Sequence, residues 1–151
     1  MLDLFCLKSE RTSRIRDENP RALAIMRDGI DRDTLQSIFR DAGWELETAE
    51  TISSALIQRK HPFPIVLWER ELKDCDWRQA ISLLSDLPQH PAVILLSGRC
   101  DNNLWDDLIG FGGSDILRTP VDREDVMRAI RSAWSLWRHL QRLRSATARR
   151  A

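Results

Sequence analysis

The sequence predicts an α/β fold, a doubly wound five-stranded parallel sheet with an extended C-terminal helix. Three observations predict it. Five short strand-like runs alternate with five stretches of helical period, and the connections between them are short. Such alternation implies βαβ units, whose right-handed crossovers place helices on both faces of one parallel sheet. The 151 residues, 42% hydrophobic and 30% charged, suit one soluble domain with a single core rather than a disordered chain.

The elements follow in order. Residues 1–20 end in a polar run, Lys8 to Pro20, with no sustained period, and are expected to be a mobile leader. Ala22 to Met26 is an apolar run suited to a strand buried on both faces. Asp31 is placed to cap a helix whose apolar positions are Leu35, Ile38, Phe39 and Ala42, with Gly43 as its stop. Trp44 to Ala49 reads as a second strand. Thr51 to Lys60 reads as a second helix, with Ile52, Ala55 and Leu56 inward and Pro62 and Pro64 ending it. Ile65 to Trp68 is a third strand, and Trp77 to Leu87 a third helix through Ile81 and Leu84. Ala92 to Leu96 is the fourth strand, Asn103 to Phe111 the fourth helix and Asp115 to Leu117 the fifth strand. Asp122 begins the last helix, with Asp125 three residues on, as in a capping box. The body is expected to span 21–135, and a basic helical extension 136–151.

Several function classes are disfavoured. Cys6, Cys75 and Cys100 are odd in number and show no C-x-x-C spacing, so neither a disulfide framework nor a zinc site is expected. His61, His90 and His139 are far apart, which argues against a metal site or a catalytic base. Gly110, Gly112 and Gly113 do not form a dinucleotide fingerprint. Glu69, Glu71, Asp74 and Asp76 lack the D-x-D-x-D-G pattern of a cation loop and read as a solvated turn. The apolar runs are too short to span a bilayer, and the N-terminus lacks the basic start of a signal peptide. A cytoplasmic location without membrane contact is expected, with no cofactor and no bound metal.

In a sheet of this kind the chemistry lies at the carboxyl ends of the strands. The positions to inspect are therefore 26–28, 69, 97 and 119. Here four stretches, Asp41 to Trp44, Ile65 to Trp77, Ala92 to Gly98 and Gly112 to Val121, resemble those of response-regulator receiver domains, the flavodoxin-like (βα)5 modules typified by CheY. Asp41-Ala-Gly-Trp44 resembles the family's E-A-G-Y, and Ile65 to Trp77 its V-L-L-D-x-x-L-P-x-x-D-G. Ala92 to Gly98 resembles P-V-I-F-L-T-A, and Gly112 to Val121 matches G-A-x-D-Y-L-x-K-P-F in spacing. The resemblance covers roughly residues 21–135. It implies signal transduction with an aspartate nucleophile after the third strand and an acidic pair holding Mg²⁺ after the first. A Ser or Thr after the fourth strand and a Lys after the fifth would bind the phosphoryl oxygens.

The sequence departs from that pattern. The acidic pair falls on Met26 and Arg27, with Asp28 one step later, and the nucleophile position falls on Glu69. Thr119, beside Arg118, stands at the lysine position, Ile116 replaces the fifth-strand aromatic, and Ser97 alone keeps its type. Glu69 carries an extra methylene, which misplaces its oxygens for in-line attack. Met26 offers no hard oxygen, while Arg27 can itself supply the compensating charge by pairing with Glu69 or Asp28. The expectation is a degenerate pocket without a catalytic residue. Glu69 is then either a built-in mimic of a phosphorylated aspartate or a remnant.

Charge and apolar pattern single out the last helix. From Val126 onward there are seven arginines and no acid, and the rest of the chain holds 16 basic and 23 acidic side chains, a net of −7. Val126, Ile130, Ala133, Trp137 and Leu140 form a narrow seam, widened by Trp134, Leu136 and Leu143. The seam is expected to be an interface for a homodimer or a protein partner, and to lead into an output domain if the chain is a fragment. The alternative is that Trp134 and Trp137 fold back onto the domain. Two other functions stay open, a working phosphoacceptor in a phosphorelay and nucleic-acid binding through the arginines. No helix-turn-helix or zinc pattern supports the latter.

Overall fold

The computed structural model describes residues 19–57, 63–101 and 103–150. Residues 1–18 of the predicted leader, the end of the second predicted helix with Pro62, Cys6 and His61 all lie outside them, as does the Leu56 side chain. The chain alternates β1 (Arg21–Ile25), α1 (Ile30–Ala42), β2 (Glu45–Ala49), α2 (Ile52–Ile57), β3 (Ile65–Glu69) and α3 (Trp77–Ser85). It continues through β4 (Ala92–Ser97), α4 (Leu104–Gly110), β5 (Asp115–Arg118) and α5 (Arg123–Arg150). All strand pairs are parallel, in the order β2-β1-β3-β4-β5. The order therefore reverses between β1 and β3, which opens a crevice where those strands end.

Side-chain parity divides the core into two layers. Ala22, Ala24, Ile65, Leu67, Ile94 and Leu96 face α1 and α5, where Leu35, Phe39, Val126, Ile130 and Trp134 cover them. Leu23, Ile25, Val66, Trp68, Val93 and Leu95 face α2, α3 and α4, under Ala55, Trp77, Ile81, Leu84, Leu104 and Leu108. Every residue of β4 is buried, as an apolar central strand requires, whereas the edge strand β2 keeps Glu45 and Glu47 in water. Gly43 stops α1 with a left-handed φ of 74°, and the amides of Gly43 and Trp44 return to Arg40 and Phe39 carbonyls.

Two expectations at helix ends are corrected or sharpened. Asp31 is not the cap of α1, because the helix already begins at Ile30 after Gly29. Its carboxylate instead accepts the Val121 amide at 3.0 Å, tying α1 to the turn before α5. Asp122 does receive the Asp125 amide, at 3.4 Å, as an N-cap should.

The larger correction concerns α5. Val126, Ile130, Ala133 and Trp134 are core residues rather than a free interface, with 0%, 0%, 5% and 8% exposure. Trp137 is half-buried and stacks on Trp134, with ring centroids 5.6 Å apart. Its indole N–H donates to the Gln89 carbonyl at 3.2 Å, and the Gln141 amide one turn later donates to the same oxygen at 3.0 Å. The helix thus stays pinned to the body through Gln141, where the sequence pattern had it leaving near 135. What remains exposed is a second stripe, Leu136, Leu140 and Leu143. Of the predicted seam, only Leu140 belongs to it.

Candidate functional site at the carboxyl edge

Ile25 pairs with Trp68, so Met26 and Arg27 leave β1 beside Glu69, the last residue of β3. The register delivers Arg27 to Glu69. The Arg27 amide donates to Oε2 at 2.7 Å, while Nε and Nη2 donate to Oε1 at 3.0 and 2.7 Å. Both carboxylate oxygens are engaged by one residue, through charge-assisted bonds. The hydrogen bond that the guanidinium donates to Glu69, and then the charge of Glu69, raise Arg27 above its ordinary range. Asp28, the other carboxylate in reach by sequence, turns away and pairs with Arg32 at 2.9 Å.

A second arginine covers the opposite side. Ser97 is fully buried at the end of β4, and its hydroxyl donates to the Arg99 carbonyl at 2.7 Å. The same oxygen accepts the Arg99 amide at 3.1 Å and Arg70 Nη1 at 3.3 Å. Arg70 also donates to the Arg99 carbonyl and forms an ion pair with Asp101. That hydrogen bond and charge hold the Asp101 carboxyl below the usual carboxylate range. Thr119 follows β5, its amide donating to the Ser97 carbonyl at 3.1 Å. Its hydroxyl lies 3.3 Å from where a side chain on Gly98 would begin.

The structure therefore brings Met26, Arg27, Glu69, Ser97 and Thr119 to one edge and sends Asp28 elsewhere. Arg70 and Asp101 were missed by sequence reasoning, and Glu71 was read only as part of a solvated turn. Arg70 and Asp101 are 31 positions apart, and no local pattern couples them. Nor does the acidic run act as one cluster. Glu71 accepts the Gly98 amide, Asp74 accepts the Ile52 amide, and Asp76 approaches Arg78.

Phosphate-accepting receivers hold Mg²⁺ at this edge, and the residues present do not fit that ion. Met26 is buried and offers a thioether, Glu69 has its oxygens taken by Arg27, and Asp28 is paired with Arg32. Among the described residues, no group of three or more His, Cys, Asp or Glu is placed to hold a metal.

Comparison with known proteins gives the class first. No family model matches. The fold resembles the signal receiver domain of an HD-domain protein from Pseudomonas fluorescens Pf-5, with a TM-score of 0.73 and 22% identity. That likeness covers 83% of this chain and 93% of the other. Vibrio cholerae CheY4 matches with a TM-score of 0.68 and 16% identity, over 76% of this chain and 98% of its own. The fold is that of the response-regulator receiver domains. The sequence points the same way, since 101 residues (65% of this chain) are 28% identical to a protein named as a two-component response regulator, ARR20, of Arabidopsis thaliana. The match spans 21% of that relative's length.

Proposed function

We propose that this chain is a receiver-type signalling module that works without phosphoryl transfer, through protein–protein contact. One observation carries the proposal. The carboxylate at the nucleophile position, Glu69, is held on both oxygens by Arg27, which occupies the place of a metal ligand. Three of the roughly four lone-pair sites of that carboxylate accept from Arg27, and the charge that would offset a phosphoryl group is already paired within the site. Residues 21–135 form the module in this reading, residues 1–20 its leader and 136–151 a basic extension of α5. In this reading the module acts in the cytoplasm as a non-enzyme; no helix among the described residues is long and apolar enough to cross a membrane.

The contact surface in this reading is the stripe Leu136, Leu140 and Leu143, with Arg144 beside it. Exposed apolar side chains in a row suit a homodimer or a protein partner, and in a longer regulator the same helix would lead into an output domain. Incubating the full chain with acetyl phosphate and Mg²⁺, followed by intact mass, tests the chemistry. No phosphoryl adduct is expected. An adduct on Glu69 overturns the proposal in favour of a phosphorelay acceptor. Sedimentation at about 100 µM tests the stripe for self-association. A dimer that becomes a folded monomer on Leu136→Ser and Leu140→Ser supports it.

A further inference from the structure

A cleft at the opposite end of the sheet calls for a ligand of its own. It lies between the start of β1 and the third quarter of α5, has a volume of about 330 Å³, and is lined by Arg21, Trp134, Trp137, Arg138, Gln141 and Arg142. No carboxylate lines it. Among the described residues, Arg27, Arg32, Arg70, Arg78, Arg123 and Arg128 each meet an Asp or Glu. Arg21, Arg138 and Arg142 have no such partner; neither do Arg40, Arg99, Arg118, Arg131 and Arg144, but the first three line one cleft, and the buried Nε of Arg21 has no hydrogen-bond acceptor. A buried donor without a partner normally has an explanation, often a group that binds there.

The walls of the cleft are fixed rather than loose. Trp134 and Trp137 stack, and Arg138 stands 5.8 Å from the Trp134 ring centroid. Trp137 and Gln141 are anchored on the Gln89 carbonyl. Arg138 and Arg142 are four positions apart on one helix, a like-charge spacing that repels unless an anion lies between them. Three guanidinium groups from two elements exceed what one carboxylate can satisfy. Their forked donors suit the several oxygens and multiple charge of phosphate groups.

We infer that this cleft is a binding site for a small phosphate-bearing anion, remote from the Glu69 edge. The phosphate could belong to an inorganic oligophosphate or to a nucleotide. Calorimetric titration of the full chain with inorganic pyrophosphate, without Mg²⁺ and at low salt, tests it. Saturable one-to-one binding is expected. Affinity should fall about tenfold in Arg142→Gln and in Arg21→Gln, one charge-assisted contact each. Arg99→Gln, the same charge change on the far edge, should bind as the wild type does. Circular dichroism checks that each variant is folded. ATP binding no weaker than pyrophosphate supports recognition of the phosphates, whereas ATP binding alone overturns it, because the base would then carry the affinity. No saturable heat up to about 1 mM overturns the site. So does equal weakening by Arg99→Gln, which would mean diffuse attraction to net charge.

Discussion

The two ends of the sheet treat arginine in opposite ways. At the carboxyl edge Arg27 meets Glu69 and Arg70 meets Asp101, each pair closed within the chain. At the amino edge Arg21, Arg138 and Arg142 gather beside two tryptophans, and no carboxylate lines the cleft they share. The same side chain thus closes one crevice and leaves the other open to an anion. The difference teaches that the end of the fold where receivers keep their chemistry is self-contained here. Three arginines without a carboxylate partner and the exposed leucine stripe lie instead along α5 and at the start of β1.

The largest expected effect tests how firmly α5 holds the amino-edge cleft. Trp134→Ala should lower stability by about 3 to 4 kcal/mol, since it opens a cavity in the layer shared by α1, β1 and α5. Leu143→Ala, on the exposed stripe of the same helix, should cost no more than about 0.5 kcal/mol in the same urea titration. Equal costs would erase the distinction between the docked and the free face.

Next in size is a change of ion dependence at the carboxyl edge. Mg²⁺ should leave the emission of Trp68, the residue before Glu69, without a saturable change in the wild type. Replacing Met26 and Arg27 together with Asp removes the internal cation and adds two hard ligands, so a saturable Mg²⁺ response should appear. A wild-type response that disappears in Glu69→Gln would show that Arg27 does not close the site.

A smaller effect separates mimicry from a remnant. Wild type, Glu69→Gln and Glu69→Asp should share one sedimentation coefficient if Glu69 only anchors Arg27. A shift confined to the Gln variant would mean that the charge at 69 sets the signalling state.

The smallest effect is a pH dependence at Asp101. Its folded carboxyl titrates below its unfolded value, which is about 3.9. The pairing with Arg70 therefore stabilises fully above that value, and is lost as pH falls through the folded value. Asp101→Asn should be less stable than the wild type by a constant margin from about pH 5 to 8. The margin should close in acid, as followed by urea midpoints. A margin that widens in acid would assign the wrong sign to this pair.

Much of the architecture was legible before any coordinates. The five strands were placed within a residue or two, because apolar runs between turn signals have few other uses. The crevice at 26–28, 69, 97 and 119 followed from the strand order that such units adopt. Asp31 was misread because an acid before an apolar period looks like a cap, while its true partner, the Val121 amide, is 90 positions away. On α5 the apolar seam was found, but not its direction. A period of 3.6 shows that a helix has an apolar face without showing what lies against it.

Local pattern therefore settled the order of elements and the apolar strands of the core, and the resemblance set Met26 and Arg27 where that family keeps an acidic pair. Only the packed structure decided which carboxylate Arg27 would take. Glu69 and Asp28 were both in play, and the parallel register that sets Ile25 against Trp68 brought Glu69 alongside, while α1 drew Asp28 to Arg32. It also decided that α5 lies on the sheet through Gln141, since that depends on the Gln89 carbonyl meeting two donors one helical turn apart. Such pairings join groups tens of residues apart, and their geometry exists only once the strands are in register.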